Sequence, residues 1–307
     1  MKATSRRFLF VHGLLVILLG IVVFVPNRRP TTRAYDALVV GIVLIELLFL
    51  LVLARGKRNG NLGTGPFDII AFVWLLMIVW ELTTSKYHLA HPVLIPCPEN
   101  VFDTFYQQWD RMLLNVCYSL QLLLIGFGIG LAAAVLCGLF AGWIPRLRSF
   151  AYPIANIMAP IPPIVISPYL VSLMPTFRSA SVVVIVLGVF WPTFLTTVNR
   201  IQNMEQQILD SARMLNPGTG TMICKILLPY ILPGVISGLK VSLTTSMLML
   251  NFAELMGATH GMGYYVQNSI TYANYTHAVA GIIVIGIVVT MLNFLVGKLQ
   301  KWAIRWH

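Results

Sequence analysis

The chain has 307 residues, of which 58% are hydrophobic and only 10% charged, and its mean hydropathy is +0.82. Soluble domains carry about 25% charged residues, so this balance excludes an ordinary water-soluble fold and points to a bilayer protein. A formal net charge of +11 could suit nucleic acid, but the basic residues are scattered among loops between apolar runs and form no binding stripe.

Several runs reach the ~20 apolar residues that cross a ~30 Å hydrocarbon core. The pattern predicts eight spans, at Phe8–Val25, Tyr35–Ala54, Phe67–Thr84, Leu113–Phe140, Ile154–Leu173, Ala180–Val198, Tyr230–Met256 and His277–Leu299. The first has a basic start and an apolar run, with no small-residue cleavage site after Val25, so it is expected to be retained rather than removed as a signal peptide. With both termini inside, fourteen Lys or Arg fall in inner segments and six in outer ones (Arg28, Arg29, Arg33, Lys86, Arg111 and Arg178), with Lys240 unassigned. That bias is the one expected of a cytoplasmic face. The Gly-rich, basic stretch Arg55–Gly65 is a linker that separates an N-terminal transmembrane hairpin, residues 1–65, from a six-helix core, residues 66–307.

Along the hairpin, His12 and Glu46 are the polar residues set within apolar runs, and Glu46 is expected to face another helix. After the third span, Glu99–Trp109 has the spacing of a short interfacial helix, with Val101, Phe102, Phe105, Tyr106 and Trp109 on its apolar side. His88 and His91 lie three apart but lack a third ligand, and Cys97, Cys117, Cys137 and Cys224 form no CxxC pair, so neither a metal site nor a disulfide framework is expected. The fourth span carries Gly126, Gly128, Gly130 and Gly138, small residues that let helices approach closely in lipid. The fifth is interrupted by Pro160, Pro162, Pro163 and Pro168. Broken backbone at membrane depth is tolerated where freed carbonyls meet protein or a watery cavity. A kinked packing helix is one reading of it; lining of a translocation path is preferred.

A polar segment, residues 200–229, follows the sixth span. Asn203 and Gln206 have capping-box spacing, and Met204, Ile208, Ala212 and Leu215 recur as one apolar stripe of a short helix. Asn216-Pro217-Gly218 breaks it, and a second helix can start near Thr219 and run to Pro229.

Asp210-Ser211-Ala212-Arg213-Met214-Leu215-Asn216, with Leu228-Pro229 twelve and thirteen positions after Asn216, resembles the EAA loop of permease subunits of ABC importers. Asp210 stands where that pattern has Glu, Ser211 where it has Ala, and Asn216 where it has Gly. Pro160-Ile-Pro-Pro163, Gly188-Val-Phe-Trp-Pro192, Pro233–Lys240 and Glu254–Tyr264 are similar to the branch that imports nitrate, sulfonates, taurine, bicarbonate-like anions or certain vitamin precursors. The resemblance covers Phe67–Arg305 and implies an all-α, type I permease core. It implies that the loop couples to a separate cytoplasmic ATPase through Asp210, Ser211, Ala212, Arg213, Leu215, Asn216, Pro217, Gly218 and Pro229. A second permease copy and an outer substrate-binding protein would complete the importer. The chain has no Gly-x-x-x-x-Gly-Lys-[Ser/Thr] loop, so ATP and Mg belong to the partner ATPase and no cofactor is expected here.

The seventh span holds Ser246, Asn251 and Glu254 in an apolar background. Such residues mark a pathway or a buried pair; Glu254, beside the turn Gly257–Gly263, either shapes an outer gate or hydrogen-bonds that turn. Tyr264, Tyr265, Tyr272 and Tyr275 suit an interfacial belt or contact with a binding protein. The competing class is an ion-coupled transporter working without an ATPase. A membrane enzyme would need a convergent nucleophile or acid–base cluster, and none is visible.

Overall fold

The computed structural model describes residues 2–29, 35–58, 63–214 and 217–303. Among them the chain is helical, without strands. In chain order the helices are α1 (Lys2–Phe24), α2 (Tyr35–Arg58), α3 (Gly65–Glu81), α4 (Pro98–Gln107), α5 (Trp109–Trp143), α6 (Pro145–Met158) and α7 (Pro163–Leu173). Then come α8 (Phe177–Gln202), α9 (Gln206–Met214), α10 (Thr219–Thr221), α11 (Leu228–Leu255), α12 (Met262–Thr271) and α13 (Tyr275–Ala303). π-helical turns at Leu82–Lys86 and Met222–Leu227 extend α3 and join α10 to α11. Among the described residues seven helical stretches are long and apolar enough to cross a membrane, and the bent pair α6–α7 makes an eighth if counted as one span. Helices are what a bilayer demands, since each backbone N–H and C=O must be satisfied within its own segment.

The fifth expected span is not a single helix. α6 and α7 meet at 97° across Ala159–Pro162. Pro160, Pro162 and Pro163 supply no N–H, and Pro163 forces Pro162 into an extended conformation (φ −65°, ψ 123°) before α7 restarts with a proline in its first turn. Pro160 and Pro162 are exposed and Pro163 is half-buried.

The chain packs as two compact units. One comprises Met1–Arg111 and Asn268–Ile283. Its core joins Val11, Leu18 and Val22 of α1, Leu38, Ile42 and Phe49 of α2, and Phe67, Ile70, Trp74 and Met77 of α3. Each set recurs at helical spacing, so each helix buries one stripe. Leu47, Leu48 and Leu51 of α2 and Phe72, Leu75 and Leu76 of α3 stay exposed, the pattern of helices solvated by lipid. α3 shares this core with α1 and α2, so packing within this unit does not divide at residue 65. His12 Nε2 lies 3.1 Å from Glu46 Oε1, so Glu46 does face a neighbouring helix, although the contact lacks hydrogen-bond geometry.

The second unit comprises Met112–Gln267 and Val284–His307. Its spine is a ladder of small residues on α5. A Cβ added at Gly126, Gly130, Gly138 or Gly142 would come within 2.8, 3.1, 2.7 and 2.5 Å of α8 at Ile185, Val186, Thr197 and Ile201 respectively. Ala134 fills the central rung, fully buried. The four-residue repeat keeps all five on one face, where close backbone approach supplies the dispersion energy that drives association in lipid. Gly128 faces open space and is not a rung, whereas Gly142, outside the expected span, is.

Candidate functional site

The segment 200–229 lies where α8 ends and α11 begins, at one end of the second unit. α8 runs through Arg200 to Gln202, and Asn203 is its C-cap, its N–H bonding the Asn199 carbonyl at 3.0 Å. α9 begins only at Gln206, so the Asn203–Gln206 capping box is not formed; the Gln206 amide instead donates to Asp210 Oδ1 at 3.3 Å. Met204 and Ala212 are buried in a cluster with Leu139, Ile201, Met222, Ile223, Leu227 and Ile231, and Leu209 packs against it. The buried stripe is therefore Met204, Leu209 and Ala212, and Ile208, expected on it, is exposed. Asp210 and Ser211 are exposed, and Ser211 Oγ donates to the Gln207 carbonyl at 2.7 Å. Met214 is 89% exposed, an unusual place for a large apolar side chain on a short polar helix. Leu215 and Asn216, and the side chain of Arg213, lie outside the described residues.

Beyond the break, Pro217 is half-buried and Gly218 is the exposed, extended N-cap of α10. The helix expected from Thr219 does start there, but it runs unbroken through a π-turn into α11. In that turn the Leu228 N–H bonds the Ile223 carbonyl, an i→i−5 step. The step falls one residue before Pro229, which has no N–H to offer the ladder. A rigid connection thus links the segment to a membrane-crossing helix.

At the opposite end of α11, Glu254 is 1% exposed. Its Oε1 accepts from Ser119 Oγ of α5 at 2.6 Å and its Oε2 from the Gly263 N–H at 2.7 Å. Ser119 Oγ in turn accepts the Met262 N–H at 2.9 Å, and Asn115 Oδ1 accepts the Gly261 N–H at 2.8 Å. Of these four hydrogen bonds two tie the turn between α11 and α12 to α5, one ties it to Glu254 of α11, and one joins Glu254 to α5. Gly261 has φ +118°, and a Cβ there would lie 2.4 Å from the Glu254 carboxyl carbon. Only glycine meets both demands. Nearby, Asn251 Nδ2 donates to the Met247 carbonyl at 2.9 Å while its Oδ1 is buried without a donor. Ser246 is buried and gives its proton to the Ser242 carbonyl at 2.7 Å. Among the described residues no group of His, Cys, Asp and Glu could hold a metal ion.

Residues 126–306 match the family profile of the binding-protein-dependent transport system inner membrane component. The chain belongs to this family. It is 26% identical over 258 residues to the taurine transport system permease protein of Escherichia coli, covering 82% of this chain and 91% of that protein. It is 26% identical over 234 residues to the nitrate import permease protein of Leptolyngbya laminosa, covering 74% and 84%. A bacterial alginate ABC transporter, solved in complex with an alginate pentasaccharide-bound periplasmic protein, has a chain of the same fold (TM-score 0.55, 13% identity, 88% of this chain and 96% of that one). The protein is a multi-pass membrane permease subunit of an ABC importer.

The permease also holds a polar cluster that sequence reasoning missed. Lys86, expected as an outer-loop charge, is buried in the first unit, where Nζ donates to the carbonyls of Val22 (3.3 Å) and Val25 (2.7 Å) and to Asn27 Oδ1 (2.6 Å), and lies 3.4 Å from Glu81 Oε1. Glu99, fully buried in the first turn of α4, accepts from Asn27 Nδ2 at 2.9 Å and Ser85 Oγ at 2.7 Å. α4 accordingly buries Pro98, Glu99, Val101 and Thr104, and leaves Tyr106 exposed. The signal available in the sequence was Glu81, Lys86 and Glu99 close together around one short segment between spans, three charges in a chain with few. Of the four tyrosines expected at the interface, Tyr272 is exposed and Tyr265 buried.

Proposed function

We propose that this permease moves a small anion inward, a sulfonate, taurine or nitrate or else a vitamin precursor, by alternating access driven by a separate ATPase. It would work as a homodimer with two cytoplasmic ATPase subunits carrying ATP and Mg, fed by an outer substrate-binding protein, with both termini cytoplasmic. Residues 66–307 form the transport core and residues 1–65 an accessory hairpin. The taurine and nitrate relatives support the anion class, and the periplasmic protein bound to the alginate transporter supports the outer partner.

The observation that carries the coupling role is the two-sidedness of α9. Met204, Leu209 and Ala212 anchor it to the inner rim, while Asp210, Ser211 and Met214 face outward. An exposed methionine beside a carboxylate suits insertion into a groove on a partner. Motion of such a helix would pass through Pro217, Gly218 and Pro229 into α11. Glu254 then holds the outer turn as a gate element, and Pro160, Pro162, Pro163, Ser246 and Asn251 border the path. In the test, Asp210→Ala with Arg213→Ala, and separately Met214→Asp, are purified with the ATPase, and substrate-stimulated ATP turnover is measured. Lost copurification or lost stimulation is expected. Normal association together with normal coupled transport would remove α9 from the mechanism.

A further inference from the structure

The ends of α8 and α11 that flank α9 enclose an open cavity of about 790 Å³, bordered by Thr196, Asn199, Arg200, Asn203, Tyr230 and Gly234 among others. Its size is in the range of small-molecule sites, roughly 300–1,000 Å³. Among the described residues that line it, Arg200 is the one charged group and none is a carboxylate. Among the described residues Arg200 makes neither an ion pair nor a hydrogen bond. A cation in the last turn of α8 is favoured by the helix dipole, but that alone does not account for its seat. The guanidinium lies against the α11 backbone at Gly234, where a Cβ would come within 1.9 Å of Nη1. The absence of a side chain at Gly234 therefore sets where the charge sits.

The neighbouring groups are donors too. Asn199 Oδ1 accepts the Tyr152 hydroxyl at 2.9 Å, which fixes the amide orientation and leaves its N–H₂ without an acceptor. Asn203 and the Tyr230 hydroxyl add two further side chains that can donate. One guanidinium, two amides and a phenol, with no acid among the described lining residues, complement a compact oxyanion and disfavour a cation.

We propose that this cavity is a binding site for a small oxyanion, with Arg200 as its charged anchor and Gly234 as the seat of that anchor, occupied as substrate leaves toward the ATPase side. The site deepens, and rests on, the reading of the chain as an anion importer. It goes further in assigning anion recognition to the permease itself, on the rim next to α9.

The test uses the full permease–ATPase complex in phosphatidylcholine nanodiscs, with calorimetric titration of methanesulfonate, taurine and nitrate. At least one should bind saturably. Arg200→Gln should weaken that binding about 10- to 100-fold, the loss expected for a charge-assisted contact. Gly234→Ala keeps the charge and favours the helix, but pushes the guanidinium aside, and should weaken binding several-fold; Arg200→Lys should recover part of it. Equal binding by wild type and Arg200→Gln, or no saturable binding by wild type, overturns the proposal. So does binding abolished by phosphatidylglycerol in the disc, which would make a lipid phosphate the occupant. ATP-driven uptake of the same anions, with the binding protein supplied, is read in parallel. Uptake without Arg200-dependent binding removes the site and leaves the importer reading intact; absence of uptake of every anion removes that reading itself.

Discussion

Removing the Glu254 carboxyl group should release the turn between α11 and α12. In Glu254→Ala the Gly263 N–H loses its acceptor, and Ser119 Oγ loses the partner that orients it to receive the Met262 N–H. Each buried polar group left unsatisfied costs ~1–3 kcal/mol, so two lost bonds amount to about 3 kcal/mol or more of local stability. Glu254→Gln should fall between, since the amide offers one acceptor and turns N–H₂ toward a group that already donates. The observable is amide hydrogen exchange of residues 261–263 in nanodiscs. Because every 1.4 kcal/mol is a factor of ten, protection should drop about 100-fold in Glu254→Ala and about tenfold in Glu254→Gln. Gly261→Ala should mimic the alanine variant, because its Cβ would need to share space with the carboxyl group at a positive φ. Unchanged protection at 261–263 in Glu254→Ala would refute the role given to this network.

The small-residue ladder makes a paired prediction: Gly138→Leu should destabilise the permease by about 1–3 kcal/mol or more through overpacking against Thr197, while Gly128→Leu, facing open space, should be nearly neutral, both read by thermal unfolding in detergent. Lys86→Met should cost about 3–5 kcal/mol, because it leaves Glu81 without its cationic partner in a buried site and takes the donor from Asn27 Oδ1 and the Val25 carbonyl; an unfolding midpoint equal to wild type would contradict the cluster. Cys97 is buried, and burial raises its thiol above the usual range, so little thiolate forms at neutral pH. Maleimide should therefore modify exposed Cys224 and spare Cys97 until the protein is unfolded, as mass spectrometry of labelled peptides would show.

Much of the architecture was legible because lipid imposes strong constraints. Span length carries a physical reason that survives without neighbours, and the helices that are long and apolar enough to cross a membrane fall where the apolar runs put them. What escaped depends on neighbours. Ile208 and Leu209 are adjacent on α9, and periodicity alone could not say which of them turns to the buried cluster around Met204 and Ala212. Gly126 and Gly128 look alike in sequence, and only the docking of α8 separates a rung from a lipid-facing position. Four prolines in the fifth span signalled interruption, yet the 97° bend needed the extended dihedrals of Pro162. Lys86 counted as a topological charge, because nothing local announces that two carbonyls at the end of α1 and Asn27 will surround it.

The most direct test of the account is uptake by proteoliposomes that contain the permease with its ATPase and binding protein. Uptake of a small anion is expected only with ATP on the ATPase side, and it should vanish when Asp210 and Arg213 are both alanine although the complex still folds. Uptake that persists without the ATPase, driven by an ion gradient and indifferent to those substitutions, would contradict it.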